Sequence, residues 1–170
     1  KYKITDILNK EDTRNIGLIA YAADTHIASP LTRDADTLKA LLPALDPFIM
    51  PGNGGSNTLR LAEEAVNLFE QSKSEPRTLI LVTDGVENQD IEKAAALLKQ
   101  NKIQLSVLAI GTEQGAPMLQ PDGRFFKGAD GQPIMPPLEW DNLKTLSNEA
   151  NGRIQKFSNT DSDIDYLLAD

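Results

Sequence analysis

Two spacings of apolar residues alternate along the chain. Stretches 16–23, 77–83 and 103–110 are apolar at nearly every position, which is typical of strands buried on both faces in a parallel sheet. Around them, apolar residues recur every three or four positions, which predicts amphipathic helices. The predicted helices cover residues 1–11, 36–45, 56–72, 90–98, 138–150 and 161–168. Strands alternating with helices predict an α/β fold with a mostly parallel sheet and helices on both faces.

Three shorter segments complete the pattern. Residues 25–29 form a predicted edge strand that stops at Pro30, and the two-residue link before it permits only antiparallel pairing. Residues 115–137 carry two Asp-Gly turn sequences beside short apolar runs, which predicts a protruding β-hairpin. A last short strand is predicted at 153–157.

The composition of the chain excludes several classes of function. A chain of 170 residues without a linker or repeat is predicted to form one domain, residues 1–170. The net charge of −8 argues against a nucleic-acid partner, because phosphate binding needs clustered Lys and Arg. The chain has no cysteine, which excludes a thiolate metal site, and its single histidine leaves little material for a Ser-His-Asp triad or a multi-histidine metal site. No catalytic residue is therefore predicted.

The loops beyond the strands hold the candidate binding residues, since ligands of open α/β sheets bind at the carboxyl ends of the strands. Asp24 and Asp84 each follow an apolar strand, and Ser56 stands in a glycine-rich loop before a helix. Asp84 can coordinate a hard cation, or its Asp-Gly step can simply turn the chain. Likewise, the Ser56 hydroxyl can ligate a metal or act as a helix N-cap.

Other candidates are weaker. The run 52–55 lacks the Gly-Lys-Ser/Thr ending of a phosphate-binding loop. His26 has no second histidine and is interpreted as an ordinary half-exposed residue of an edge strand. Trp140 and the pair Phe125-Phe126 are interpreted as packing residues, although a protruding hairpin can also present aromatics to a partner. No second carboxylate is placed at a neighbouring strand end.

Several stretches, in this order and spacing, resemble a von Willebrand factor A (VWA) domain of the bacterial BatB type. They are Ile16-Gly-Leu-Ile-Ala-Tyr-Ala-Ala-Asp24, Ser29-Pro-Leu-Thr32, Leu38-Lys-Ala-Leu-Leu42, Gly54-Gly-Ser-Asn-Thr58, Thr78-Leu-Ile-Leu-Val-Thr-Asp-Gly85, Ala109-Ile-Gly-Thr112, Gly115-Ala-Pro117, Pro121-Asp-Gly123, Lys127, Ala129-Asp-Gly131 and Gly152-Arg153. The resemblance implies a three-layer, doubly wound (Rossmann-like) fold with one antiparallel edge strand.

It also implies a metal-ion-dependent adhesion site (MIDAS) that holds Mg²⁺ in the intact protein. The implied metal ligands are Ser56 and Asp84, with Thr58 as the alternate to Ser56. The implied partner-binding positions are Asp24, Gly54, Gly55 and Gly85.

The chain departs from the family pattern at its start. The family's Asp-x-Ser-x-Ser ligand motif follows a central first strand and precedes a helix, and residues 1–11 resemble that helix. We therefore expect the central strand between 16–23 and 77–83 to be missing. Since a divalent cation needs about six oxygen ligands, we also expect that this chain alone binds no Mg²⁺. The two exposed strand edges are expected to rearrange or to drive homo-oligomerisation.

By resemblance, the function is that of a non-enzymatic protein-binding module in a bacterial protein anchored in the inner membrane, with the domain in the periplasm. Implied partners are MoxR-type AAA+ ATPases and other VWA proteins. Contact with the membrane is expected only through flanking segments, and the chain itself is predicted to be soluble. The alternative is a metal-dependent phosphatase or hydrolase that uses Asp84.

Overall fold

A computed structural model describes residues 2–11, 14–21, 25–45, 57–73, 75–86, 89–111, 114, 117, 120, 122–135 and 138–169. Helices and strands alternate through these ranges, as the apolar spacing predicts, and a 3₁₀ turn at Leu42–Ala44 extends the second helix. In chain order they are α1 (Tyr2–Lys10), β1 (Ile16–Tyr21), β2 (Thr25–Thr32), α2 (Ala35–Leu41), α3 (Thr58–Ser72), β3 (Arg77–Thr83), α4 (Ile91–Gln100), β4 (Ile103–Ala109), α5 (Trp140–Glu149), β5 (Ile154–Lys156) and α6 (Ser162–Leu168).

The described strands fall into two sheets. β3, β4 and β5 form a parallel sheet in that order, and β1 pairs with β2 in an antiparallel ribbon. The predicted α/β fold, with a parallel sheet and an antiparallel edge strand, is confirmed. Within the described ranges, β1 and β3 each hydrogen-bond to a neighbouring strand on one edge only.

This difference in pairing appears in the burial of the three apolar strands. β4 is buried at every position except Gln104, whereas all six residues of β1 are half-buried and β3 is buried only at Leu81. The predicted burial on both faces is therefore confirmed for β4 and wrong for β1 and β3. We attribute the difference to the second edge of β1 and β3, which no described strand covers.

The predicted end of β2 at Pro30 is also wrong. β2 continues through this residue to Thr32, and Pro30 itself is exposed. The pairing with β1 is irregular at this point, between the pairs Leu18–Ser29 and Ile16–Thr32. A proline is tolerated at such an irregularity because the regular ladder does not need its missing N–H.

Helices cover both faces of the strands. Residues of α3, α4 and α5 form the larger core with β3 and β4, and Ile19, Tyr21 and Leu31 pack against it from the ribbon. On the other face, Leu8 of α1 and Leu38 of α2 pack against Ile16 and Leu18. The ribbon therefore has α3 on one face and α1 with α2 on the other, since side chains alternate along a strand.

A buried ion pair ties α1 to α6. Lys3 Nζ lies 2.8 Å from Asp163 Oδ1, and the Asp163 side chain is fully buried. Lys3 Nζ also donates to the Thr160 carbonyl and lies 5.3 Å from the centre of the Phe157 ring. Burial alone would raise the pKa of Asp163, but hydrogen bonds from Lys3 and from the backbone N–H groups of Ser158 and Ile164 outweigh it and lower the pKa.

The predicted hairpin is present in the described part of 115–137. Lys127 and Pro133 form an antiparallel bridge, and the Ile134 N–H donates to the Phe126 carbonyl at 2.8 Å. Phe125 and Phe126 are 45% and 41% exposed, so the interpretation of this pair as packing residues is wrong. Trp140, in contrast, is half-buried against the larger core.

No helix among the described residues is long and apolar enough to cross a bilayer.

Candidate functional site

The turn after β3 presents the Asp84 carboxylate to solvent. Thr83 Oγ1 donates to the Gly85 carbonyl at 2.8 Å and accepts from the Gly85 N–H at 3.3 Å, so the Thr83 side chain forms this turn. Asp84 is exposed, and its carboxylate makes no hydrogen bond or ion pair with any described residue. The Asp84 carboxylate therefore takes no part in the described hydrogen bonds of this turn.

Tyr21 joins the carboxyl ends of β1 and β3. Its Oη lies 3.4 Å from both Thr83 Oγ1 and the Gly85 carbonyl oxygen. Since Tyr21 ends β1 and Thr83 ends β3, the carboxyl ends of these two strands lie at the same end of the molecule. We call this end of the molecule the carboxyl edge.

Glu139 brings a second carboxylate to the same turn. Its backbone N–H donates to the Asp84 carbonyl at 3.3 Å, and a Cβ built on Gly85 would lie 3.0 Å from Glu139 Oε2. The sequence places no second carboxylate at a neighbouring strand end, and Glu139 instead reaches the turn from the residue before α5. Glu139 precedes α5 and follows the hairpin, so no strand-end pattern in the sequence indicates its position.

The N-terminus of α3 lies at the carboxyl edge as well. Only four residues connect the end of α3 to the start of β3, and α3 is about as long as a seven-residue strand. The two elements therefore run antiparallel, and the start of α3 lies near the end of β3. Asn57 is the N-cap of α3, because its Oδ1 accepts from the Arg60 N–H at 2.9 Å. The alternative of Ser56 as the N-cap is therefore wrong.

Thr58, the alternate metal ligand, is the first residue of α3. It is 4% exposed, and its Oγ1 has no hydrogen-bond partner. A buried hydroxyl without a partner is uncommon and calls for a physical explanation. The direction of α3 puts Thr58 at the same end of the molecule as Asp84, and the role of both residues as ligands of one site stays a prediction.

Four of the predicted site residues lie outside the described residues: Asp24, Gly54, Gly55 and Ser56. Their predicted roles stay predictions. His26 is exposed on β2.

The oxygen donors at the carboxyl edge are of the chemical type that a hard divalent cation prefers. Asp84 offers a carboxylate and Thr58 a hydroxyl, and Glu139 lies beside the turn at Asp84 and Gly85. They fall short in number, because Mg²⁺ and Ca²⁺ take six or more oxygens. In the described part of the chain, no group of three or more acidic, histidine or cysteine side chains is arranged to hold a metal.

Three known proteins resemble this chain. An uncharacterized protein of Borreliella burgdorferi is 26% identical over 99% of this chain and 48% of its own length. The structure of the conserved hypothetical protein BatB from Bacteroides thetaiotaomicron matches with a TM-score of 0.82 at 23% identity, over 94% of this chain and 78% of that one. An aerotolerance-related membrane protein from Bacteroides fragilis matches with a TM-score of 0.85 at 22% identity, over 96% and 82%.

At these identities the two solved structures establish the fold, and the chain spans about half the length of its Borreliella relative. The model of the von Willebrand factor type A domain matches residues 2–132, which is most of the chain. Domains of this family are generally non-enzymatic adhesion or interaction modules, and they commonly bind a divalent metal at the MIDAS. The chain belongs to the von Willebrand factor type A domain family.

Proposed function

We propose that this domain binds a protein partner at the carboxyl edge through a metal-ion-dependent adhesion site and catalyses no reaction. The observation that carries the proposal is the Asp84 carboxylate, which is exposed at the end of β3 in a turn that Thr83 closes. A carboxylate that the turn does not use is free to bind a ligand. Glu139 and Thr58 add oxygen donors at the same edge.

The proposed metal ligands are Asp84 and Ser56, with Thr58 as the alternate. Asp24, Gly54, Gly55 and Gly85 are proposed to border the partner. Mg²⁺ at this site would supply an open coordination position for a carboxylate of the partner. The donors of this chain alone are too few, so we expect tight Mg²⁺ binding only when further oxygen ligands join them.

One strand from outside these 170 residues is proposed to fill the space between β1 and β3 and to bring those ligands. Two strands that flank a third lie about 9.5 Å apart, which is two strand spacings. The Tyr21 side chain, with its 3.4 Å contact to Thr83, is long enough to span that distance. The half-burial of every residue in β1 supports the same proposal, because an added strand would cover its open edge.

The cellular setting is also a proposal. We infer a bacterial protein held in the inner membrane by segments that flank the domain, with the domain in the periplasm. The similar Bacteroides fragilis protein is described as a membrane protein, which supports the anchoring. The proposed partners are MoxR-type AAA+ ATPases and other VWA proteins.

Calorimetric titration with Mg²⁺ tests the proposed site. The polypeptide that includes the proposed strand, here called the strand-complete protein, should bind one Mg²⁺, and Asp84→Ala should abolish binding. Asp36→Ala is the matched control, because Asp36 is also exposed but lies in α2, beyond the amino end of β1. Equal Mg²⁺ binding by the Asp84→Ala and Asp36→Ala variants would overturn the assignment. Tight stoichiometric binding by the 170-residue chain would overturn the need for added ligands.

The Glu139 carboxylate, which lies beside the turn that holds Asp84, favours a hydrolase as the second candidate. An enzyme should hydrolyse p-nitrophenyl phosphate with Mg²⁺ and lose that turnover in Asp84→Ala. A binding module should show no turnover in either protein.

A further inference from the structure

Two buried hydroxyls of the described chain have no hydrogen-bond partner, and both lie at the carboxyl edge. They are Thr25 Oγ1, in a residue 8% exposed, and Thr58 Oγ1, in a residue 4% exposed. Buried polar groups are nearly always hydrogen-bonded, because an unpaired one has lost its water without a replacement. Two such groups at one end of the molecule indicate that something else binds there.

The register of the ribbon places Thr25 at this edge. Thr25 lies directly opposite Tyr21, the last residue of β1, so the two side chains are on the same face. Tyr21 packs on the core that α3 shares. The Thr25 hydroxyl therefore lies on the α3 side of the ribbon, at the end where α3 begins.

The N-terminus of α3 favours an anionic group at this place. α3 has 15 residues, and its first N–H groups have no acceptor within the helix. Asn57 satisfies only the Arg60 N–H, so the N–H groups of Thr58 and Leu59 remain directed out of the helix end. Together with the positive end of the helix dipole, they attract a negatively charged acceptor.

We propose that Thr25 and Thr58 form a hydroxyl subsite that receives a carboxylate oxygen. This inference rests on the proposed function, because the carboxylate would belong to the segment that completes the site. Both hydroxyls donate to it, and the first turn of α3 stabilises its charge. Thr25 is then a positioning residue, which holds the incoming carboxylate and does not itself bind the metal.

Thermal unfolding of Thr→Val variants in EDTA tests the subsite without metal. In the 170-residue chain, Thr25→Val and Thr58→Val should leave Tm unchanged or raise it, because each removes a hydroxyl that lacks a partner. Thr83→Val is the matched control, since its hydroxyl donates to the Gly85 carbonyl at 2.8 Å, and it should lower Tm by about 2–4 °C. In the strand-complete protein, Thr25→Val and Thr58→Val should lower Tm as well.

The effect of these variants on Tm thus changes sign between the 170-residue chain and the strand-complete protein, and this change identifies the subsite. A fall in Tm for Thr25→Val and Thr58→Val in the 170-residue chain, equal to that of Thr83→Val, would overturn the proposal. An unchanged Tm for both variants in the strand-complete protein would overturn it too. If the sign changes while the strand-complete protein binds no Mg²⁺, the proposed function fails and the subsite stands.

Sodium acetate distinguishes the two sources of carboxylate. If the subsite takes a free carboxylate, acetate should raise the Tm of the 170-residue chain relative to sodium chloride at equal ionic strength. The Thr25→Val/Thr58→Val double variant should lose this gain. The absence of an acetate effect, together with the change of sign, would assign the subsite to a carboxylate held on the protein segment. If acetate raises the Tm of the double variant by the same amount, acetate binds elsewhere on the protein. That result, together with no change of sign in the Tm effect of the single variants, would contradict the proposal.

Discussion

At the scale of single residues, the ion pair of Lys3 and Asp163 shows how much one buried contact can contribute to stability. Asp163 is fully buried, yet it remains charged because Lys3 and two backbone N–H groups donate to it. Such a pair adds little over two well-packed apolar residues, but either charge left alone in the interior is costly.

Lys3→Met is therefore expected to lower the free energy of unfolding by about 3 kcal/mol at neutral pH. The lowered pKa of Asp163 means that its contribution is present above the unfolded pKa of about 3.9 and is lost as pH falls through the folded pKa. The deficit of the variant should therefore shrink as pH is lowered. Urea unfolding across pH measures both effects.

Lys10→Met is the matched control. Lys10 also pairs with carboxylates of the C-terminal segment, Asp161 and Asp165, but there the pairing is at the surface. Its loss should change the stability far less. Equal losses for the two variants would show that burial of the Lys3 pair does not matter.

The reason for a glycine at position 152 cannot be predicted from the sequence. A Cβ built on it would lie 1.4 Å from the Leu105 carbonyl oxygen, so β4 requires a glycine there. The left-handed residue that ends α5 is Asn151, directly before Gly152, with φ of 56°. A glycine after a helix predicts a left-handed cap, and only the packing of β4 shows that this one is needed for close approach.

At the scale of elements, β3 pairs with β4 on one edge, and no described strand pairs with its other edge, here called the open edge. In a parallel ladder, the N–H and C=O of a residue point to the same neighbour, and alternate residues point to opposite edges. The Thr83 carbonyl accepts from the Ile110 N–H, so Thr83, Leu81 and Leu79 face β4. Thr78, Ile80 and Val82 consequently face the open edge.

We expect this alternation in native-state hydrogen exchange. The amides of Leu79 and Leu81 should exchange slowly, and those of Thr78, Ile80 and Val82 should exchange many-fold faster, since no described strand accepts from them. NMR detection of residual amide protons after transfer to D₂O reports each residue. In the strand-complete protein, the fast amides should become protected. Uniform protection along β3 in the 170-residue chain would contradict the open edge.

The elements were predictable from the sequence because their apolar spacing is local information. The spacing predicts β3 and β4 equally well, since both are runs of apolar residues. It does not show that β4 has neighbours on both edges and β3 on one, because pairing depends on distant parts of the chain. The same reason explains why Asp84 was predictable from its strand end, whereas Glu139, which reaches the site from a loop after the hairpin, was not.

At the scale of the whole molecule, β1 and β3 each have one edge that no described strand covers, and the chain carries a net charge of −8. The edges favour association through strand pairing, and the charge opposes it by repulsion between copies. Which effect dominates depends on salt, since the screening length falls from about 30 Å at 0.01 M to about 8 Å at 0.15 M.

The mass of the 170-residue chain is thus expected to rise with concentration, and more steeply at higher salt. Light scattering coupled to gel filtration measures it. The strand-complete protein should stay monomeric under the same conditions, because its edges are paired. A monomeric 170-residue chain at every concentration and salt level would show that the open edges do not drive association.

The bond between Lys3 and Asp163 also bears on how fast the domain folds and unfolds. Its partners are 160 residues apart in the sequence, so closing this loop early would cost more chain entropy than any local contact. It should therefore form after the transition state for folding. Lys3→Met would then leave the folding rate nearly unchanged and speed unfolding by roughly a hundredfold, if its cost is about 3 kcal/mol. Two helices at opposite ends of the sequence would thus set how long the folded domain lasts, and not how quickly it forms.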